Sequence, residues 1–312
     1  MKNSQPFISV VIPAYNEEKF IGPTLEALNN QAYPRSKMEI IVVDNNSIDS
    51  TVEIANRLAD KVLHYHDKPV GKVRNFGVAH AQGEVLFFID ADCVAPSDWV
   101  ENGVRLIKEQ NDRVLGGGIT LRKNPTFIEK YWLLQGRNHE VLPKELLGAS
   151  IAVNKSAFFK VNGFSETLTA GEDSKFHQDL IEKGYNVQLY HDLSVEHLGN
   201  ARTIYEFFWR QAWHSEGYSS RIKKSIKEPV FVFTLGYLLM LVLIPVTGFK
   251  YTFEIIIALV FLVTIRSVDR IRKSKNLKNC KNIINIFAVD LVYFSGRAFG
   301  FCKGIFKNGF KL

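Results

Sequence analysis

Asp90, Ala91 and Asp92 set two carboxylates one residue apart, directly after the apolar run EVLFFI at 84–89. At that spacing both can approach a hard divalent cation, Mn2+ or Mg2+, one directly and the other through water or a hydroxyl. A cation held in this way usually also takes phosphate oxygens. The same pair could instead cap a helix beginning near Ser97. Gly171, Glu172 and Asp173 precede a helix expected at 174–183. Acidic residues there are favoured by the helix dipole, and a carboxylate beside a cleft can also act as a general base. Lys72 and Arg74, in GKVRN at 71–75, offer charge for phosphate groups or form a solvated basic turn. His197 follows a strand expected at 186–190 and either completes a metal shell or is a hydrogen-bonded loop histidine. Trp209, Trp213 and Tyr218 share an Arg-containing helix and would line a cleft or pack the domain against a membrane.

These residues need a scaffold, and the hydrophobic pattern supplies one. Apolar, β-branched runs at 7–12, 39–43, 61–65 and 84–89 alternate with helical stretches at 17–31, 49–59 and 73–81. That order implies an α/β fold, a parallel sheet covered by helices on both faces. In such sheets ligands bind beyond the carboxyl ends of the strands. The polar clusters sit at those ends: Pro13-Ala14-Tyr15-Asn16-Glu17, Asp44-Asn45-Asn46-Ser47 and Asp90-Ala91-Asp92. There is no GxGxxG after the first strand and no GxxxxGK[ST], so the main marks of a dinucleotide fold and of a P-loop are missing.

The chain has 312 residues and a net charge of +7, with 46% hydrophobic residues, which argues against disorder. Three scattered cysteines, Cys93, Cys280 and Cys302, do not make a disulfide framework, and no signal peptide opens the sequence. Charge is unevenly spread: residues 221–312 carry 16 Lys+Arg against 4 Asp+Glu, while the first 220 are net acidic. Residues 230–249 hold twenty residues without a charge, about the length of a bilayer span, and a second run at 251–265 contains only Glu254. Arg221, Lys223, Lys224 and Lys227 precede this pair, and seven basic residues between Arg266 and Lys281 follow it. The pattern predicts a membrane hairpin with both ends cytoplasmic, a basic linker at 266–281 and an interfacial helix at 283–306. The expected domains are therefore 1–220 and 221–312. A basic, apolar tail of this kind points to membrane lipids as its partner, with no nucleic acid.

FISVVIPAYNE at 7–17, DNNSIDST at 44–51, RNFGVAHAQGEVLFFIDAD at 74–92 and GFSETLTAGED at 163–173, in this order, resemble a family 2 glycosyltransferase with the GT-A fold. The resemblance implies that Pro13, Ala14, Tyr15 and Glu17 lie against the nucleotide of a nucleotide-sugar, with Asp44 on its base. Lys72, Arg74 and Asn75 would lie near ribose and phosphates, and Asp90-Ala91-Asp92 would be the DXD motif. Asp92 is then the main metal ligand, with His197 a second. Asp173 is the catalytic base, and Glu172 and Trp213 lie on the acceptor side. Trp209-Arg210-Gln211-Ala212-Trp213 departs from the Gln-x-x-Arg-Trp motif of processive synthases, so the resemblance implies addition of one sugar at a time. The expected reaction is a metal-assisted, inverting displacement from a nucleotide-diphosphate sugar onto a lipid-linked or membrane-proximal glycan. A polyprenyl phosphate acceptor and a catalytically silent scaffold are the alternatives.

Overall fold

Consecutive side chains of a strand point to opposite sheet faces, so a strand buried on both sides reads as an unbroken apolar run. The computed structural model, which describes residues 5–109, 113–133, 140–168, 171–219, 222–273 and 281–308, makes strands of all four runs above; the first, second and fourth are buried on both sides, and the third is a half-buried edge strand. In chain order the first elements are β1 (Ile8–Ala14), α1 (Ile21–Asn29), β2 (Met38–Asp44), α2 (Thr51–Leu58), β3 (Lys61–His64), α3 (Val70–Ala79) and β4 (Val85–Phe88). Then come β5 (Cys93–Val94), α4 (Trp99–Glu109), β6 (Arg113–Gly116), β7 (Ile119–Thr120), α5 (Phe127–Trp132), β8 (Glu140–Val141) and β9 (Ile151–Asn154). α6 (Lys155–Lys160), α7 (Glu172–Glu182), β10 (Asn186–Leu189) and β11 (Val195–His197) follow. Among the described residues, the helices that follow are α8 (Ile204–Glu216), α9 (Ile222–Ser225), α10 (Pro229–Thr247), α11 (Thr252–Lys273) and α12 (Lys281–Asn308).

The chain divides into two compact units, Met1–Arg122 with Glu140–Gly199, and Lys123–His139 with Asn200–Leu312. The first contains a seven-stranded sheet in the order β10-β6-β9-β4-β1-β2-β3. β4, β1, β2 and β3 are mutually parallel, as the alternating pattern implies, whereas β9 runs antiparallel between β4 and β6. Ile8, Val10 and Ile12 of β1 enter one core with Ile40, Val42 and Phe87, and Val11 enters the other with Ile41, Val43 and Phe88. A smaller four-stranded sheet, β5-β11-β7-β8, lies in the same unit.

The second unit gathers α5 and α8, both upstream of the boundary expected at 220, with the C-terminal helices. Its packing centres on glycine. Gly296, Gly300 and Gly304 recur every fourth residue of α12, and a Cβ on them would lie 2.6, 2.0 and 2.3 Å from the carbonyl oxygens of Phe208, Ala212 and Glu216 of α8. Only bare backbone allows that approach. Gly300→Leu should therefore cost at least about 2 kcal/mol by forcing the helices apart. Its melting temperature in detergent should fall by several degrees, and an unchanged melt would show that α12 is free to move off α8.

The expected hairpin has helices on both arms, but with different limits. α11 runs unbroken to Lys273, so the first half of the basic linker is helical; residues 274–280, with Lys275, Lys278 and Cys280, lie outside the described residues, as does Arg221. The reason is Asp290 of α12, which is fully buried. It accepts from Arg266 Nε at 3.1 Å and Ser267 Oγ at 2.8 Å, and pairs with Arg270 one turn on. Their charge is met inside the protein rather than at a lipid surface. Arg270 also donates to the Tyr131 and Trp132 carbonyls at 2.8 and 2.7 Å, closing the end of α5. Among the described residues, two helical stretches are long and apolar enough to cross a membrane, Pro229–Thr247 and Asn282–Lys307. The second is the segment read as an interfacial helix. Exposed Val232, Leu239, Val242, Val246, Phe253 and Phe261 on α10 and α11 leave an apolar surface uncovered.

Candidate active site

The carboxyl ends of β1 and β4 open into a cavity of about 450 Å3. Pro13, Ala14, Tyr15, Glu17, Asp90, Ala91, Asp92 and His197 line it, together with Asn45, Lys68, Pro69, Val70 and Val73. Loop-to-loop bonds shape the rim. Asn16 N donates to Ser47 Oγ at 2.9 Å, Ile48 N to Asn16 Oδ1 at 2.9 Å, and Glu17 N to Thr51 Oγ1 at 2.7 Å. Tyr15 is half exposed, with Lys68 Nζ 5.7 Å from its ring centre.

The DXD carboxylates have different partners. Asp90 Oδ1 accepts from Arg74 Nη2 at 2.7 Å, while Asp92 Oδ2 lies 3.4 Å from His197 Nε2. His197 arrives through register: β11 pairs antiparallel with β5, setting His197 opposite Cys93. Leu198 N donates to the Asp92 carbonyl at 2.7 Å, and a Cβ on Gly199 would lie 2.0 Å from Asp92 Oδ2. Glycine there leaves that oxygen room. Ligand atoms of Asp92, Cys93 and His197 all lie within 4.8 Å of one another. Burial and the Asp90 and Asp92 carboxylates hold the Cys93 thiol well above its ordinary value, and Cys93 is fully buried and does not line the cavity. What remains, a carboxylate and an imidazole at the cavity wall, fits Mn2+ or Mg2+ with oxygen ligands from a substrate.

Glu17 reports the same crowding of negative charge. Desolvation, then Asp92, Asp90 and Asp49, push it up to about 7. A carboxyl whose folded value is raised takes up its proton in the fold before the unfolded chain does. Stability is therefore lost as pH rises from about 4.5 toward 7 and levels off above that. Thermal melts of the ligand-free protein against pH should show this slope, and Glu17→Gln should remove it and melt higher at pH 8. An identical pH profile in the variant would assign the slope elsewhere.

Arg74 joins the two acidic motifs. It is 3% exposed, and its Nη1 donates to Glu172 Oε1 at 2.7 Å while Nη2 holds Asp90. The resemblance implies contact with ribose and phosphates, but the structure gives this guanidinium to two carboxylates. Gly148 makes the space, since a Cβ there would lie 2.3 Å from Arg74 Nη2. The Gly148 amide in turn donates to Asp173 Oδ2 at 3.3 Å, and Ser174 N to Asp173 Oδ1 at 2.8 Å, so the proposed base is oriented from both sides.

Four expected nucleotide-sugar residues do not line the cavity. Besides Arg74, Asp44 is buried, accepting from Ser47 N at 3.3 Å and facing His64 Nδ1 at 3.5 Å, and its neighbour Asn45 lines the cavity instead. Lys72 pairs with Asp67. Asn75 staples α3 to the 163–166 turn, donating to the Phe164 carbonyl at 2.9 Å and accepting from Phe164 N at 3.0 Å. Trp213, expected on the acceptor side, is exposed on α8 in the second unit. Sequence reasoning passed over Lys68 and Gly148. A lysine next to a proline at a helix start was the available signal for the first, and a glycine three residues before a buried strand for the second.

Residues 9–168 match the family model Glycosyl transferase family 2. Among curated proteins the chain is similar to glycosyltransferase AglE of Haloferax volcanii, at 31% identity over 62% of this chain and 67% of that protein. It also resembles a Methanococcus voltae enzyme named dolichyl N-acetyl-alpha-D-glucosaminyl phosphate 3-beta-D-2,3-diacetamido-2,3-dideoxy-beta-D-glucuronosyltransferase, at 23% identity over 97% and 98% of the two chains. Among solved structures, the mannosyltransferase PcManGT of Pyrobaculum calidifontis in complex with GDP-Man and Mn2+ superposes with a TM-score of 0.52. Its identity is 22%, covering 71% of this chain and 65% of that one. Residues 1–349 of S. aureus TarS superpose with a TM-score of 0.50 and 16% identity, covering 97% of this chain and 91% of that one. At those identities the two structures show a shared fold.

Proposed function

This chain belongs to glycosyl transferase family 2 and has the GT-A fold, and from that premise we propose that it moves one sugar, with inversion, from a nucleotide-diphosphate sugar to a hydroxyl of a lipid-linked glycan. The observation that carries the reading is the Asp92–His197 pair on the wall of a cavity that also holds Tyr15, Glu17 and Lys68. Tyr15 offers a flat face to a base, and Lys68 offers a charge to phosphate oxygens. Asp92 and His197 would hold a divalent cation, which supplies the positive charge that a departing nucleoside diphosphate requires. Arg74, through Asp90 and Glu172, ties the donor side to the start of α7 and so fixes Asp173. Asp173 accepts the proton of the acceptor hydroxyl at its carboxylate as that oxygen attacks the anomeric carbon from the opposite face.

The lipid-linked acceptor draws support from the Methanococcus voltae relative, whose name specifies a dolichyl-linked phosphate sugar and which aligns over 97% of this chain. Mn2+ has a precedent in the Pyrobaculum calidifontis complex of the same fold. The uncovered apolar surface of α10 and α11 favours a membrane-bound enzyme. We place the catalytic unit on the cytoplasmic side, where nucleotide-sugars occur and where Lys223 and Lys227 would face anionic lipid.

The test supplies full-length protein in detergent with a panel of nucleotide-sugars, Mn2+ and polyprenyl-linked saccharides. One sugar should appear in the organic-extractable product with inverted anomeric configuration, and EDTA should stop the reaction. Retention of configuration, or full activity in EDTA, would overturn the mechanism. Product confined to water-soluble acceptors would overturn the lipid-linked assignment.

A further inference from the structure

α8 displays a row of rings on the outside of the helical unit. Tyr205, Trp209 and Trp213 stand four residues apart and so share one side of the helix, and they are 73, 40 and 69% exposed. Phe299 of α12, also exposed, extends the row by packing edge-on against Trp209, with ring centres 5.4 Å apart. Beside the rings lies an apolar groove of about 520 Å3, lined by Ile204, Tyr205 and Phe208 of α8 and Leu291, Val292 and Ser295 of α12. We propose that this ridge and groove rest in the interfacial layer of a lipid bilayer. The inference builds on the reading that the enzyme is membrane-bound, and adds the surface by which it lies on the lipid.

A contiguous aromatic surface of this kind marks a contact with something other than water. The chemistry of the row selects lipid. Tyr and Trp have a flat apolar body and one polar tip, which suits the boundary between acyl chains and head groups. Glu206 and Arg210, both exposed, stand three residues before Trp209 and Trp213 and so lie beside them on the helix surface. The core of a protein–protein interface excludes such charges, whereas a headgroup layer solvates them. Continuity points the same way. From the end of α8 the chain passes exposed Lys223 and Lys227, which suit anionic lipid, and enters α10, the uncharged stretch long enough to span. α12 follows α8. Gly296, Gly300 and Gly304 meet the carbonyls of Phe208, Ala212 and Glu216 in that order, so the two helices run parallel at backbone contact. This stretch of α12 therefore shares the depth of a helix that carries Glu206, Arg210 and Glu216, and its own Lys303 pairs with Glu216. Charges so placed are costly in the hydrocarbon core, so the pair lies along the surface rather than across it.

Full-length protein reconstituted into vesicles of phosphatidylcholine and phosphatidylglycerol tests this through its four tryptophans, Trp99, Trp132, Trp209 and Trp213. Flotation first establishes that the protein is on the vesicles. Phosphatidylcholine brominated in the upper acyl chain should then quench the emission, and aqueous iodide should not. Trp209→Phe combined with Trp213→Phe should reduce the bromolipid quenching at least about twofold, since the rings at the interface are the ones replaced. Both positions are exposed and keep an aromatic ring, and an unchanged melting temperature checks the fold; if the double variant melts lower, each single substitution is read in the same way. Iodide quenching that the variant loses would put the rings in water, and bromolipid quenching equal in both proteins would place another tryptophan at the lipid. Either overturns the proposal. Rings reached by neither quencher would be covered by protein, such as a second copy, and that overturns it too. Protein that does not float overturns the membrane-bound reading as well, whereas floating protein with rings beyond the reach of bromolipid overturns this inference alone.

Discussion

Asp92→Asn is expected to lower transfer roughly a thousandfold or more, the scale of several kcal/mol of transition-state charge stabilisation. Asparagine keeps the shape of the side chain, and the bond from Leu198 N goes to the Asp92 main-chain carbonyl, so the local fold should hold. What disappears is the anionic oxygen 3.4 Å from His197 Nε2. Nucleotide binding should lose its dependence on manganese in calorimetric titrations. Glu17 supplies an internal control. Asp92 is one of the charges that raise it, so the ligand-free variant should melt no lower than the wild type at pH 8. Near-normal turnover in the variant would remove Asp92 from the metal site.

Asp173→Asn is expected to lower kcat by at least about a hundredfold, the lower end of general-base contributions, with donor affinity little changed. The substitution retains one oxygen to accept from Gly148 N or Ser174 N, and leaves Arg74 to Glu172 intact, so the start of α7 should keep its place. It cannot take a proton. A split in which kcat falls and donor binding does not is what distinguishes loss of the base from loss of structure. An unaltered rate would favour an acceptor that needs no base, such as a phosphate oxygen.

The amino-acid sequence by itself determined the strands, because burial on both faces of a parallel sheet is written into adjacent residues as Val, Ile, Leu and Phe. It also determined that Pro13 to Glu17, Asp90 to Asp92 and Glu172-Asp173 stand at element ends, since polar residues that interrupt such runs have nowhere else to go. The uncharged run at 230–249 is legible for the same local reason. The partners of these residues were not. Arg74 reaches Glu172 across 98 positions of chain, and in sequence it reads equally well as a phosphate ligand. His197 meets Asp92 only because β11 pairs antiparallel with β5, a register that no nearby residue encodes. Arg266 and Arg270 look like lipid-facing charge until Asp290, buried on another helix, pairs with both. The glycines of α12 look permissive until the carbonyls of α8 lie against them. Local burial is a property of neighbouring side chains, whereas a buried ion pair or a backbone contact exists only once the crossovers have brought distant segments together.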